Sequence, residues 1–88
     1  MKLVISPLAE KQIRKLPKFV QISTVKKIRR FYETRFPLGV KQLSGYKDIY
    51  RVRVGDYRIV FRKYPSKTYI VLVAHRKDVY LRLKKLFD

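Results

Sequence analysis

The chain has 88 residues, with 23 Lys+Arg against 6 Asp+Glu and a formal net charge of +17. That length makes one domain, residues 1–88, with room for a single small core and none for an internal cavity around a large cofactor. A hydrophobic content of 47% excludes a disordered basic tail, and the absence of cysteine excludes a disulfide scaffold, a thiol nucleophile and a Cys-ligated metal.

Lys2–Ile5 reads as a short strand, far too brief to be the apolar core of a signal peptide. Ser6 can cap the next helix, with Pro7 at the first helical position, where a missing N–H does no harm. Leu8, Ala9, Ile13 and Leu16 follow at helical spacing, and Pro17 ends the helix. A second helix is predicted from about Phe19 to Thr34, with Val20, Val25, Ile28 and Tyr32 on one face and Lys26, Lys27, Arg29 and Arg30 along a basic edge. So short a turn between the helices predicts a helical hairpin. Leu8, Ile13, Val20 and Ile28 are expected in the core.

Pro37 and Gly39 open a loop that runs to about Lys47, after which the period changes to two. Ile49–Val54 and Tyr57–Tyr64 are predicted strands joined at Gly55-Asp56, since glycine accepts a positive φ at the first central position of a two-residue hairpin turn. Thr68–His75 is a third strand, apolar on both faces and so expected inside the sheet. Its run Tyr69–Ala74 is the longest apolar stretch, so nothing is expected to span a membrane and a cytoplasmic location is the default. A short helix from about Asp78 to Phe87 closes the chain, with Val79, Leu83 and Leu86 inward. The order β-α-α-β-β-β-α predicts an α+β fold, a helical hairpin packed on a mostly antiparallel twisted sheet.

The central hairpin carries the chemistry. If Gly55-Asp56 is the turn, Val54 pairs with Tyr57, Val52 with Ile59 and Tyr50 with Phe61 on an apolar face. The other face receives Arg53 opposite Arg58, Arg51 opposite Val60 and Ile49 opposite Arg62. Like charges directly opposite across a sheet are destabilising, and no acid within these strands relieves them. An ordinary solvated face mixes signs; this one suits phosphate, which an arginine fork can grip with two hydrogen bonds without losing its charge. His75, Arg76 and Tyr80 form a second set at the end of the third strand, which lies beside the hairpin. An imidazole can carry a proton near neutrality, and an exposed tyrosine can stack on a splayed base. There is no Ser-His-Asp set, no paired carboxylates and no glycine-rich phosphate loop, and no cofactor or metal is expected. The excess charge favours polyanions: RNA, DNA, the ribosome or an acidic protein.

Three segments, Gln42-Leu43-Ser44-Gly45, the hairpin Tyr50–Phe61 and His75-Arg76-Lys77-Asp78-Val79-Tyr80, make the chain resemble the RelE/ParE superfamily of toxins from toxin–antitoxin systems. The hairpin marks the superfamily, including members that inhibit DNA gyrase and cleave nothing. The His-Arg-x-x-x-Tyr ending resembles the RelE-like mRNA interferases. The resemblance implies metal-independent cleavage of mRNA in the ribosomal A site, by attack of a ribose 2′-hydroxyl on the adjacent phosphate. It also implies an antitoxin partner with an acidic, apolar contact segment. Arg51, Arg53 and Arg58 are then expected to hold the phosphate, Arg76 to assist it or the leaving oxygen, and Tyr80 to orient the nucleotide. Where the best-known members carry a lysine as base, this chain has Arg53, which moves the expected proton-transfer role to His75. The competing readings are a gyrase-inhibiting toxin and an inactive RNA-binding relative.

Overall fold

The computed structural model describes residues 2–33 and 39–87. The expected helix end at Thr34 and the loop opening at Pro37 lie outside the described residues, as does the side chain of Tyr32. Eight elements follow one another: β1 (Lys2–Ile5), α1 (Pro7–Arg14), α2 (Lys18–Glu33), β2 (Lys41–Gln42), β3 (Ile49–Val54), β4 (Tyr57–Lys63), β5 (Lys67–His75) and α3 (Val79–Phe87).

Ser6 sets the first helix. Its backbone is extended, its Oγ accepts the Ala9 N–H at 2.9 Å, and its hydroxyl donates to the Val71 carbonyl at 2.7 Å. One buried side chain therefore caps α1 and ties it to β5. The helix stops at Arg14, two residues short of the expected Leu16. Lys15 and Leu16 turn tightly onto the carbonyls of Gln12 and Ile13, because the residue before Pro17 disfavours helical backbone. The Gln21 Nε2 donates to the Ile13 carbonyl at 3.2 Å and closes the helical hairpin.

The sheet order is β1-β5-β4-β3-β2, with β1 parallel to β5 and every other pair antiparallel. The α+β class, the helical hairpin and the mostly antiparallel sheet are as expected, and β5 lies inside the sheet. The β3–β4 register reproduces all six predicted pairs, from Ile49 with Arg62 to Val54 with Tyr57. Gly55 takes the positive φ, +58°, that the turn requires.

Two apolar layers sandwich this sheet. On one face Ala9, Ile13, Ile28 and Phe31 of the helical hairpin pack on Val52, Val54, Ile59, Phe61, Ile70 and Val73. On the other, Val79 and Leu83 of α3 close over Leu43, Ile49, Val60, Leu72 and Ala74. A bulge between Val60 and Phe61 lets Val71 join that second layer, which is how β5 stays apolar on both sides.

Other details differ from the sequence reading, among them Val20, expected in the core and only half-buried. Lys41–Gln42, expected in a loop, forms the edge strand β2 against Tyr50 and Arg51; two residues are too few to show a period. Leu8, expected in the core, and Leu86, expected inward, lie at the surface, because Ala9 with Ile13 and Val79 with Leu83 supply the inward stripes. Val25 is exposed as well: the inward positions of α2 are Thr24, Ile28 and Phe31, so a hydroxyl and not a valine is buried at that turn. No helix among the described residues is long and apolar enough to cross a membrane.

Candidate nucleic-acid interface

The apolar alternation of β3 and β4 leaves their arginines on the face that α3 covers only in part. Arg53 stands directly across from Arg58, and Arg51 sits two residues along, opposite Val60. From the edge strand Lys41 pairs with Arg51 and adds a further cation to this row; the sequence reading missed it, because nothing in so short a segment announces a strand. Arg58 folds back on the hairpin turn, its Nη1 donating to the carbonyls of Gly55 at 3.1 Å and Tyr57 at 3.0 Å.

A second turn brings in the rest. The Arg76 N–H donates to the Asp56 carbonyl at 2.7 Å, and the Asp78 N–H to the His75 carbonyl at 2.8 Å. The β5–α3 connection is thus fastened to the tip of the β3–β4 hairpin. The Arg76 Nε lies 3.8 Å from Asp56 Oδ1, a loose and exposed pair that leaves the guanidinium free to reorient. Tyr80, on the first turn of α3, is 56% exposed.

These charges act on Arg58 together. Desolvation by burial lowers the pKa of Arg58, and the positive charges of Arg53, Arg51 and Arg76 lower it further, while Tyr80 acts in the opposite sense. Of the residues expected at the phosphate, Arg51, Arg53, Arg76 and Tyr80 all act electrostatically on Arg58. The like charges around Arg58 carry a repulsion that a bound anion would relieve.

His75 is not brought into this cluster. It pairs with Tyr57, and the two rings meet edge-on at 5.3 Å between centroids. Alternation along β5 puts Ala74 with the α3 layer and His75, like Val73, on the face of the helical hairpin. Its Nδ1 accepts the Lys77 N–H at 3.2 Å. The expected approach to Arg53 and Arg58 holds for the end of the strand but not for the imidazole, which the two-residue period directs to the opposite side. Among the described residues no group of acids and histidine could hold a metal ion.

Known proteins resemble this chain in sequence and in fold. The model described as the ParE toxin of a type II toxin–antitoxin system, parDE, matches residues 3–80. Toxin RelE3 of Methanocaldococcus jannaschii is 40% identical over 43 residues, a match that covers 49% of this chain and 49% of that protein. The fold superposes on the RelB-RelE antitoxin-toxin complex from Methanococcus jannaschii with a TM-score of 0.77 at 23% identity, covering 88% of this chain and 94% of that one. It also superposes on the isolated RelE toxin of E. coli with a TM-score of 0.72 at 24% identity, covering 99% and 98%.

Proposed function

Because the chain belongs to the ParE toxin family of type II toxin–antitoxin systems, within the RelE/ParE superfamily, we propose that it is a RelE-like endoribonuclease that cleaves mRNA in the ribosomal A site and so stops translation. The observation that carries this reading is the convergence of Arg51, Arg53, Arg58 and Arg76 with Tyr80 where the hairpin tip meets α3. In the proposed reaction a ribose 2′-oxygen attacks the adjacent phosphorus and the bond to the 5′-oxygen breaks. The products are a 2′,3′-cyclic phosphate and a 5′-hydroxyl; one proton leaves the 2′-oxygen and one reaches the 5′-oxygen. Charge grows on the phosphoryl oxygens, where fixed guanidinium groups are worth most. The exposed Tyr80 ring offers a stacking surface for a base of the message. The ribosome positions the RNA, and the chain works in the cytoplasm.

The expected proton carrier, His75, stands on the other face of the sheet, so the arginines bear the main part of this proposal. The partner in the resting cell is an antitoxin with an acidic, apolar segment, as the RelB-RelE complex among the structural relatives suggests. The description of the matched family supports a second reading, a ParE-like toxin that inhibits DNA gyrase without cleaving RNA. Primer extension on a translated message, with and without ribosomes, separates the two. Cuts that require ribosomes are expected. Equal cutting of naked RNA removes the ribosomal step, and an intact message with stalled gyrase favours the second reading.

A further inference from the structure

The connection between β5 and α3 carries Arg76, and three successive amides in it are tied down. The Arg76 N–H donates to the Asp56 carbonyl at 2.7 Å, the Lys77 N–H to His75 Nδ1 at 3.2 Å and the Asp78 N–H to the His75 carbonyl at 2.8 Å. The Arg82 N–H then donates to the Asp78 carbonyl at 3.0 Å and starts α3. The first of these ties runs to the hairpin tip. The next two both end on His75, one on its side chain and one on its backbone.

In an Asx turn the side-chain oxygen of Asn or Asp accepts the N–H two residues on and bends the chain. His75 does the same with a ring nitrogen. The bond requires an Nδ1 without a proton, so the neutral imidazole carries its proton on Nε2. The ring is also held from the side, because Tyr57, its cross-strand partner, meets it edge-on at 5.3 Å between centroids. A ring fixed against β4 thus fixes the amide of Lys77. Arg76 stands between that amide and its own, which is tied to Asp56, so its backbone is set from both sides. The exposed pair with Asp56, at 3.8 Å, steers its side chain little.

We propose that His75 is a positioning residue, which closes this turn through Nδ1 and so aims the Arg76 guanidinium at the phosphate. The inference rests on the RNA-cleaving reading given above. It gives the histidine a part in the reaction from the face of the sheet opposite the arginines, and it asks of the imidazole an acceptor and no proton transfer. Asparagine supplies that acceptor, because its Oδ1 stands where Nδ1 does. Phenylalanine supplies the ring against Tyr57 and no acceptor.

The test compares His75→Asn and His75→Phe with the wild type in single-turnover cleavage on programmed ribosomes, and in hydrogen exchange of the Lys77 amide in the free chain. His75→Phe is expected to lower the maximal cleavage rate and to speed Lys77 exchange, each by about tenfold, the scale of one hydrogen bond. The half-saturating toxin concentration stays unchanged. His75→Asn is expected to match the wild type in both readouts. In an Arg76→Ala background His75→Phe costs nothing further, since the histidine acts through the arginine. A His75→Phe chain that cleaves like the wild type reduces the histidine to a ring packed on Tyr57. A His75→Asn chain as slow as His75→Phe makes it a proton carrier, and an undiminished loss without Arg76 places its action elsewhere. Each of these overturns the proposal. The two readings fail separately: a wild-type chain that cuts no message removes the RNA-cleaving reading, whereas unmoved Lys77 exchange in His75→Phe overturns the role of His75.

Discussion

Arg53 and Arg58 face each other across two antiparallel strands, and like charges so placed cost stability. The lowered pKa of Arg58 means that the native state binds this proton less tightly than the unfolded chain does. The sign follows from linkage: the penalty is present at every pH where the guanidinium is charged, which covers the neutral range, and it eases only in strong alkali. Changing pH therefore does not relieve it, whereas removing a neighbouring charge does. Arg53→Thr, with Arg53 exposed and a β-branched replacement in the strand, is expected to raise stability by about 0.5 kcal/mol. Under the proposed function, the same variant is expected to lower cleavage on programmed ribosomes. Urea denaturation beside single-turnover cleavage checks both halves, and a variant that loses stability shows the arginine pair to be harmless. At the neighbouring turn, Arg76→Ala is expected to reduce the cleavage rate by at least about 10²-fold with ribosome binding little changed, the scale of losing one preorganised charge donor. His75→Ala is expected to lose less, because its ring faces Tyr57 and not the arginines. A larger loss at His75 than at Arg76, with a changed pH profile, returns the proton-transfer role to the histidine.

The last helix owes its place to two side chains. Val79 and Leu83 are the buried residues of α3, and Leu83 is fully enclosed against the second core layer. Leu83→Ala is expected to cost about 2–5 kcal/mol in urea denaturation. Because α3 carries Tyr80, the same change should lower cleavage even where the fold persists. Ser6→Ala, which removes the cap of α1 and its bond to β5, is expected to destabilise by about 1–2 kcal/mol while cleavage at a temperature where the chain stays folded is unchanged. Such a contrast separates an element that builds the site from one that only supports the sheet. It also marks what could be read from the chain. The β3–β4 register was legible because a strict period of two and one glycine turn fix every partner at once. Arg51, Arg53 and Arg58 came with it, and Arg76 and Tyr80 followed because a strand end and a first helical turn lie close in sequence. The direction of His75 was not, since a bulge at Val60/Phe61 and alternation over the strand's last residues decide it. Lys41 was hidden by the brevity of β2, and the inward choice of Thr24 over Val25 depends on how α2 is rotated on the sheet.

A net charge of +17 on 88 residues surrounds any polyanion with attraction, so the whole molecule poses the question of whether a site exists within the field. Solvent-exposed cations such as Lys11 and Lys26 act through water and are screened over about 8 Å at physiological ionic strength. Arg58 is partly buried and hydrogen-bonded to its own turn, and its charge is screened less. RNA or ribosome affinity should therefore fall steeply with salt, with a log–log slope of about −0.7 for each single-strand phosphate neutralised. The expected discrimination lies in how charge reversal acts. Lys11→Glu and Lys26→Glu should slow association and fade in effect as salt rises. Arg51→Glu and Arg58→Glu should keep their penalty at high salt, because under the proposed function they remove donors to the phosphate and leave an acid among the remaining arginines. Filter binding of a short single-stranded RNA across a salt series, repeated with ribosomes, measures both. Losses at Arg51 and Arg58 that vanish with salt as fast as those at Lys11 and Lys26 make the surface a diffuse field and remove the case for a phosphate site at the hairpin tip.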